Sequence, residues 1–282
     1  MATTLTIDAF EALRELISRR SGIVVPANKC ASLEIKLADH LAELGVRDFN
    51  QYVQRLSAEA AGSPIWHEVY RRVSTNETFF FRNSAQTKAF SEVLLPGVLA
   101  QQEKKLFKRI KVWSAACSTG EEPYTLAMQL TESLGADLGQ WQPQILATDI
   151  DAEVVRTATA GNYSGRALTN VPRTHLLRHF EENGDGSYSV VNALRSMIKF
   201  QVLNFADDAQ MGAQANFDIV YCRNVLIYFD AEFRKRVVSH LFNALKPGGF
   251  LVIGHSESLR DIHNGFECIR FPGTLIYQRP EA

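Results

Sequence analysis

Trp113-Ser114-Ala115-Ala116-Cys117-Ser118-Thr119-Gly120-Glu121-Glu122-Pro123-Tyr124 is the stretch on which the fold turns. Ile110–Trp113 ahead of it reads as a short strand, and Glu122–Leu134 behind it reads as a helix. Its small residues let the backbone approach a ligand closely. Gly120 can take a positive φ, and Pro123 can start the helix. The turn lacks the GxGxxG of dinucleotide enzymes and the Lys of a P-loop. Two acidic residues at the helix start oppose a phosphate and suit a cationic or hydroxylated ligand. On spacing alone, an ordinary βα turn with acidic capping residues accounts for the same letters.

Downstream the alternation repeats. Gln144–Ala147, Phe217–Cys222 and Phe250–Ile253 read as strands, with helices over Asp151–Thr159 and Ala231–Leu245. Strand-helix alternation predicts βαβ units and a parallel sheet covered on both faces. Phe266–Arg270 and Leu275–Arg279 flank Pro272-Gly273 and read as an antiparallel hairpin at the sheet edge. Residues 165–203 interrupt the rhythm. They hold a helix over Val171–Phe180, an Asn183-Gly184-Asp185-Gly186 turn, and β-like runs at Ser187–Val191 and Met197–Val202. The reading is an inserted helix and small hairpin.

In such a sheet, ligands bind beyond the carboxyl ends of the strands. Asp149 follows the second strand and suits the two hydroxyls of a ribose, while Asp151 caps the next helix. Cys222-Arg223-Asn224-Val225-Leu226-Ile227-Tyr228-Phe229 follows a later strand. Arg223 could serve a ligand or pair with an internal carboxylate; Cys222 reads as a buried apolar residue, with no His beside it to activate it. Leu245-Lys246-Pro247-Gly248-Gly249-Phe250 is a structural turn into a buried strand. In Gly254-His255-Ser256-Glu257, the His could be an acid or base, though a packing role is commoner. His175 and His179 stand at metal-ligand spacing, but no third ligand is evident, so a solvated helix face is expected.

Upstream, residues 5–74 read as short helices. Phe10, Leu13, Leu16 and Ile17 mark the first, with Thr6 or Asp8 as cap. Asn28 caps a second, with Leu33, Leu37, Leu41 and Leu44 along it and Gly45 as its stop. Asp48 opens a third, and Ser63-Pro64 a fourth. Ser74–Ser84 joins the halves, its Phe79-Phe80-Phe81 triplet reading as core that locks one half on the other beside Arg82. The domains are taken as 1–78, helical, and 79–282, α/β, with the insertion at about 165–203.

The 282 residues suit two domains, and 46% hydrophobic content excludes disorder. Thirty basic against 31 acidic residues, a net charge of -1, argue against bulk capture by nucleic acid or anionic membrane. No apolar run is long enough to span a bilayer, and Met1–Phe10 lacks a signal-peptide layout. Cys30, Cys117, Cys222 and Cys268 show no CxxC pairing, which suits reduced cytoplasmic thiols and no metal site. Nothing in the sequence demands more than a monomer.

Together, Thr75-Asn76-Glu77-Thr78 with Phe80-Phe81-Arg82, the Trp113–Tyr124 turn, Ala147-Thr148-Asp149-Ile150-Asp151, Tyr221–Phe229 and Gly254–Glu257 resemble the chemotaxis receptor glutamate methyltransferase (CheR) family. They occur in family order over nearly the whole chain. The resemblance implies a Rossmann-like class I methyltransferase domain behind an all-α domain. It implies S-adenosylmethionine as methyl donor and S-adenosylhomocysteine as product. The implied acceptors are glutamate side chains on the cytoplasmic helical domain of chemoreceptors. By motif, Asn76, Thr78, Arg82 and Glu122 (Glu121 stands beside it) would contact the cofactor. Asp149 would hold the ribose, Asn204 and Phe205 would flank the adenine, and Arg223 and Asn224 would complete the pocket. The insertion corresponds to the family's receptor-docking subdomain. In some members it grips a receptor's C-terminal pentapeptide; here the Gly184–Ser187 loop is short.

A glutamate acceptor is already ionised at pH 7, so the reaction needs desolvation and alignment rather than a general base. Arg82 and Tyr228 are the expected catalytic residues, holding that carboxylate. Lys29, Lys36, Arg71 and Arg72 could face an acidic receptor helix or be ordinary solvated charges. A methyltransferase of this fold with another acceptor, a non-catalytic cofactor-sensing module and a nicotinamide oxidoreductase are the competing readings.

Overall fold

A computed structural model describes residues 4–102 and 107–281. Four helices form the first half: α1 (Ile7–Ser21), α2 (Cys30–Glu43), α3 (Phe49–Ala58) and α4 (Pro64–Val73). Thr6, Asp48 and Ser63 cap α1, α3 and α4 through their side-chain oxygens, as their spacing predicts. Asn28 does not cap α2; it sits in a 3₁₀ turn, Ala27–Lys29, that runs into the helix without a side-chain cap. The apolar ladders meet in one core, with Leu13, Ile17, Leu37, Tyr52, Leu56 and Trp66 fully buried. Each large side chain so buried contributes about 1.5–3 kcal/mol. Arg71 and Arg72 are less free than docking charges would be. Both pair with Glu68, and Arg72 also reaches Glu43 and the Lys36 carbonyl, each at 3.2 Å.

Two helices that the sequence reading lacks follow the join: α5 (Ser84–Ala89) and α6 (Leu95–Gln102), linked by a π-helical turn over Phe90–Leu94. Then strands and helices alternate: β1 (Lys108–Ala115), α7 (Glu121–Leu134), β2 (Trp141–Asp149) and α8 (Ala152–Ala160). The insertion begins earlier than the expected residue 165, with β3 (Asn162–Tyr163), and continues through α9 (Arg173–His179), β4 (Phe180–Glu182), β5 (Tyr188–Val190) and α10 (Asn192–Arg195). The sheet resumes with β6 (Ile198–Val202), α11 (Asp208–Gly212), β7 (Phe217–Cys222), α12 (Ala231–Ala244), β8 (Leu245–Ile253), β9 (Glu267–Phe271) and β10 (Thr274–Gln278).

The seven-stranded sheet has the order β6-β2-β1-β7-β8-β10-β9. Its first five strands are parallel; β10 and β9 close it as the expected antiparallel hairpin. One expectation changes. Ile198–Val202 is no part of the inserted hairpin but runs parallel to β2 as the far edge strand. The insertion instead forms its own three-stranded sheet, β3-β5-β4. The aromatic triplet also divides. Phe80 is buried, edge-on to Tyr163 and Phe180 of the insertion, whereas Phe79 and Phe81 are half-buried. The triplet thus anchors the join on the insertion rather than on the helical half.

The halves meet elsewhere. Val24 donates its N–H to the Tyr228 carbonyl (2.9 Å) beside an antiparallel bridge, Ile23 to Phe229. The Asn204 amide donates to the Arg20 carbonyl (2.7 Å). β1 lies between β2 and β7, so the chain leaves it in both directions, and the carboxyl ends of these three strands open a crevice.

Candidate active site

The turn after β1 alternates in handedness: Ala116, Ser118 and Gly120 have φ of 66°, 50° and 97°. A left-handed non-glycine residue costs about 1–3 kcal/mol. Of seven such residues among those described, Ala116, Ser118 and Asn224 line one cavity, and Phe81 and Asn83 flank Arg82, which lines it too. Backbone strain is therefore concentrated around this crevice.

The turn bends so that the Ser118 N–H donates to Asp149 Oδ2 (2.8 Å). Asp149 Oδ1 accepts from the Asp151 N–H (3.0 Å). Both oxygens of this buried carboxylate are thus oriented by the backbone, with further lone pairs left to accept hydroxyls. Burial pushes its carboxyl up to about 6, against those two hydrogen bonds, which pull it down. Asp151 caps α8, as expected, accepting the N–H groups of Glu153 and Val154. Its other oxygen accepts from the Asn76 amide (3.0 Å), which holds the join against the crevice.

Glu122 lines the cavity, whereas Glu121 does not. Glu121 is buried against Thr119, whose hydroxyl donates to it at 2.7 Å, and burial raises its carboxyl. Glu122 accepts from the Ser114 hydroxyl (2.7 Å) and from Arg223 Nη1 (2.9 Å). Arg223 Nη2 donates to the Arg82 carbonyl (2.8 Å). The internal carboxylate foreseen for Arg223 is therefore itself a cavity residue. Arg82 stacks over Phe79, 5.6 Å from the ring centroid, and donates Nη1 to the Glu77 carbonyl (2.9 Å).

The cavity brings together Asn76, Thr78, Arg82, Glu122, Asp149, Phe205, Arg223, Asn224 and Tyr228. Asn204 is not among its lining; its amide is spent on the Arg20 carbonyl. His255 is exposed and lies outside. His175 and His179 do not form a solvated face: both ring Nε2 atoms meet Glu132, at 3.0 and 3.2 Å, and His179 is buried. Burial lowers the His179 imidazole. Cys117 and Cys222 are buried and their thiols are raised by burial, so neither is a nucleophile.

Sequence reasoning missed the helical half's share of the wall. Ser21, Ile23 and Val73 all line the cavity. It also missed Gln86 and Tyr221, which reach it from α5 and β7. Only long-range packing brings these together; no local signal marks them.

Five buried side-chain polar atoms lack a partner among the described residues, and four belong to the cavity: Ser74 Oγ, Gln86 Oε1, Tyr221 Oη and Arg223 Nε. Orphaned buried groups are rare and costly, so this cluster fits a polar ligand. The lining also holds apolar residues, Ile23, Ile150, Leu203, Phe205, Val225 and Phe229. Apolar lining, buried carboxylate and a charged pair suit a heteroaromatic ring, a ribose and an amino-acid tail.

Two family models match. The CheR methyltransferase all-alpha domain covers residues 8–73, and the CheR methyltransferase SAM binding domain covers residues 76–274. Chemotaxis protein methyltransferase 1 of Pseudomonas aeruginosa is 33% identical over 273 residues, which are 95% of this chain and 97% of that protein. The chemotaxis protein methyltransferase of Escherichia coli is 33% identical over 260 residues, 91% of this chain and 86% of its own. Among solved structures, the N-methyltransferase NodS of Bradyrhizobium japonicum, determined with S-adenosyl-L-homocysteine, overlaps with a TM-score of 0.41 at 12% identity, over 69% of this chain and 87% of its own.

Proposed function

The chain belongs to the CheR family of S-adenosylmethionine-dependent methyltransferases, and on that premise we propose that it methylates glutamate side chains on the cytoplasmic helical domain of chemoreceptors, leaving glutamyl methyl esters. The observation that carries the acceptor reading is that Arg82 and Tyr228 both line the cavity that holds Asp149, Glu122 and Arg223.

Bound there, the cofactor supplies an electrophilic methyl group on a sulfonium. Asp149 accepts the ribose hydroxyls. Phe205 and its apolar neighbours cover the adenine. Glu122 and Arg223, a pair with side chains only 14% and 8% exposed, offer an acceptor and a donor to the amino-acid end. Among the described residues, no His lines the cavity. None is required, because a carboxylate acceptor carries no proton to remove at pH 7. Arg82 and Tyr228 orient it by hydrogen bonds and exclude water, work that contributes about 7–11 kcal/mol in favourable cases. Their grip has to be moderate, since the acceptor loses negative charge as the ester forms.

The test is transfer of radiolabelled methyl from S-adenosylmethionine to receptor-containing membranes, followed by alkali. Base-labile label on the receptor is the expected result. Label that resists alkali, or a receptor left unlabelled while the cofactor binds, would refute the glutamyl assignment.

A further inference from the structure

Glu257 has no part in the reading above, yet its carboxylate sits behind the site. Oε2 accepts the N–H of Asn224 (2.9 Å) and of Gly254 (2.6 Å), and Oε1 accepts that of Ile227 (3.3 Å). The Glu257 N–H donates to the Gly254 carbonyl (2.9 Å), a turn that folds the side chain back under the ends of β7 and β8. The fit excludes a side chain at Gly254, where a Cβ would lie 2.6 Å from Glu257 Oε2 and 2.9 Å from the Asn224 nitrogen.

Arg234 of α12 grips the same segment by its carbonyls. Its Nε donates to Leu226 (3.1 Å) and its Nη2 to Phe229 (2.9 Å). The run Asn224–Phe229 is therefore held by an anion on its N–H groups and a cation on its C=O groups. The segment needs such help. It begins with a left-handed Asn224 and contains one short 3₁₀ turn, Leu226–Tyr228. Hydrogen bonds to charged groups are roughly twice as strong as neutral ones.

We propose that Glu257 and Arg234 are positioning residues for methyl transfer: they clamp the Asn224–Phe229 segment from its two polar sides and so fix where the Tyr228 hydroxyl stands. This rests on the reading of Tyr228 as a residue that orients the acceptor. Glu257→Gln keeps the size of the side chain but turns an N–H₂ group toward backbone N–H groups. Arg234→Lys keeps the charge and loses the fork.

Two measurements on the full chain test it. The first is hydrogen exchange without cofactor. In Glu257→Gln the Asn224 and Ile227 amides should exchange at least about tenfold faster, with Phe217–Cys222 unchanged. The second is kinetics on receptor membranes. The kcat should fall by about 10–100-fold, while the Kd of S-adenosylhomocysteine stays within about threefold. In a Tyr228→Phe background, the same substitution should cost little more, because it acts through the tyrosine. Equal losses in both backgrounds, or unchanged exchange, would overturn the proposal. If the wild type transfers no methyl, the acceptor reading fails instead, and exchange alone judges the clamp. If Glu257→Gln does not fold, Arg234→Lys carries both measurements.

Discussion

Asp149 carries its charge in a place that disfavours charge. Burial lifts its carboxyl from 3.8 to about 6, and backbone donors, those of Asp151 and Ser118 foremost, keep the anion tolerable. In the proposed binding mode the ribose hydroxyls donate to that anion. Protonation sets in as pH falls through about 6, two units above where an exposed aspartate would take its proton. Affinity for S-adenosylhomocysteine should therefore be flat above pH 7 and decline below pH 6, as titration calorimetry across that range would show. Asp149→Asn must turn its N–H₂ toward either the Ser118 or the Asp151 N–H. It should lose about tenfold or more in affinity and the pH dependence with it. A variant that keeps the pH dependence would move the titrating group elsewhere. Arg82 answers to a different measurement. Arg82→Ala should lower turnover by about 100-fold with the thermal midpoint unchanged, because its polar bond inside the fold is one to the Glu77 carbonyl. Wild-type turnover in that variant would remove Arg82 from the reaction.

Caps show what an element reveals of itself. Asp48 accepts the Gln51 N–H at 2.9 Å, whereas Asn28 caps nothing. Asp48→Ala should cost about 1 kcal/mol in denaturant unfolding and Asn28→Ala close to nothing, although the letters alone rate both as helix starts. The difference lies in Pro26 and the 3₁₀ turn that it opens, which deliver the chain to α2 without a free first turn. The same division runs through the fold. Central strands announce themselves because both faces are buried, so β7 is legible end to end. β6 reads correctly as a strand but wrongly in its partnership, because pairing with β2 depends on residues some fifty positions away. α5 and α6 stay hidden because α5 is only six residues long, the buried Phe90 and Leu94 fall in the π-helical turn between the two, and α6 carries Pro96 and Gly97 in its first turn. In the site, residues at strand ends were legible from topology. Asn204 was not, since its neighbours in sequence do not reveal that Arg20 claims its amide. Glu257 was quoted within its motif, but three backbone donors leave no trace in the letters.

At the scale of the molecule, the question is whether the helical half is a separate docking module or part of the binding site. Ser21, Ile23 and Val73 stand on the cavity wall with Asp149 and Arg223. Val24 bonds the carbonyl of Tyr228, and Arg20 takes the amide of Asn204. Phe233 packs so closely on Gly22 that a Cβ there would lie 1.9 Å from its ring. A ligand that fills this cavity would touch both halves, and its binding energy would then stabilise both against opening. At 100 times Kd, S-adenosylhomocysteine should add about 2.7 kcal/mol to any opening that destroys the site. Core amides of α1, around Leu13 and Ile17, should then exchange about 100-fold more slowly with ligand than without it, by the same factor as those of β1 and β7. Hydrogen exchange resolved by mass spectrometry measures both at once. Slowing confined to residues beyond 74 would show that the helices open on their own and contribute no more than a lip to the cavity. Equal slowing would make cofactor occupancy and the integrity of the α1–α4 bundle a single equilibrium. A receptor that engages the bundle would then feel whether the cofactor is bound, and would change cofactor affinity by the same factor in return.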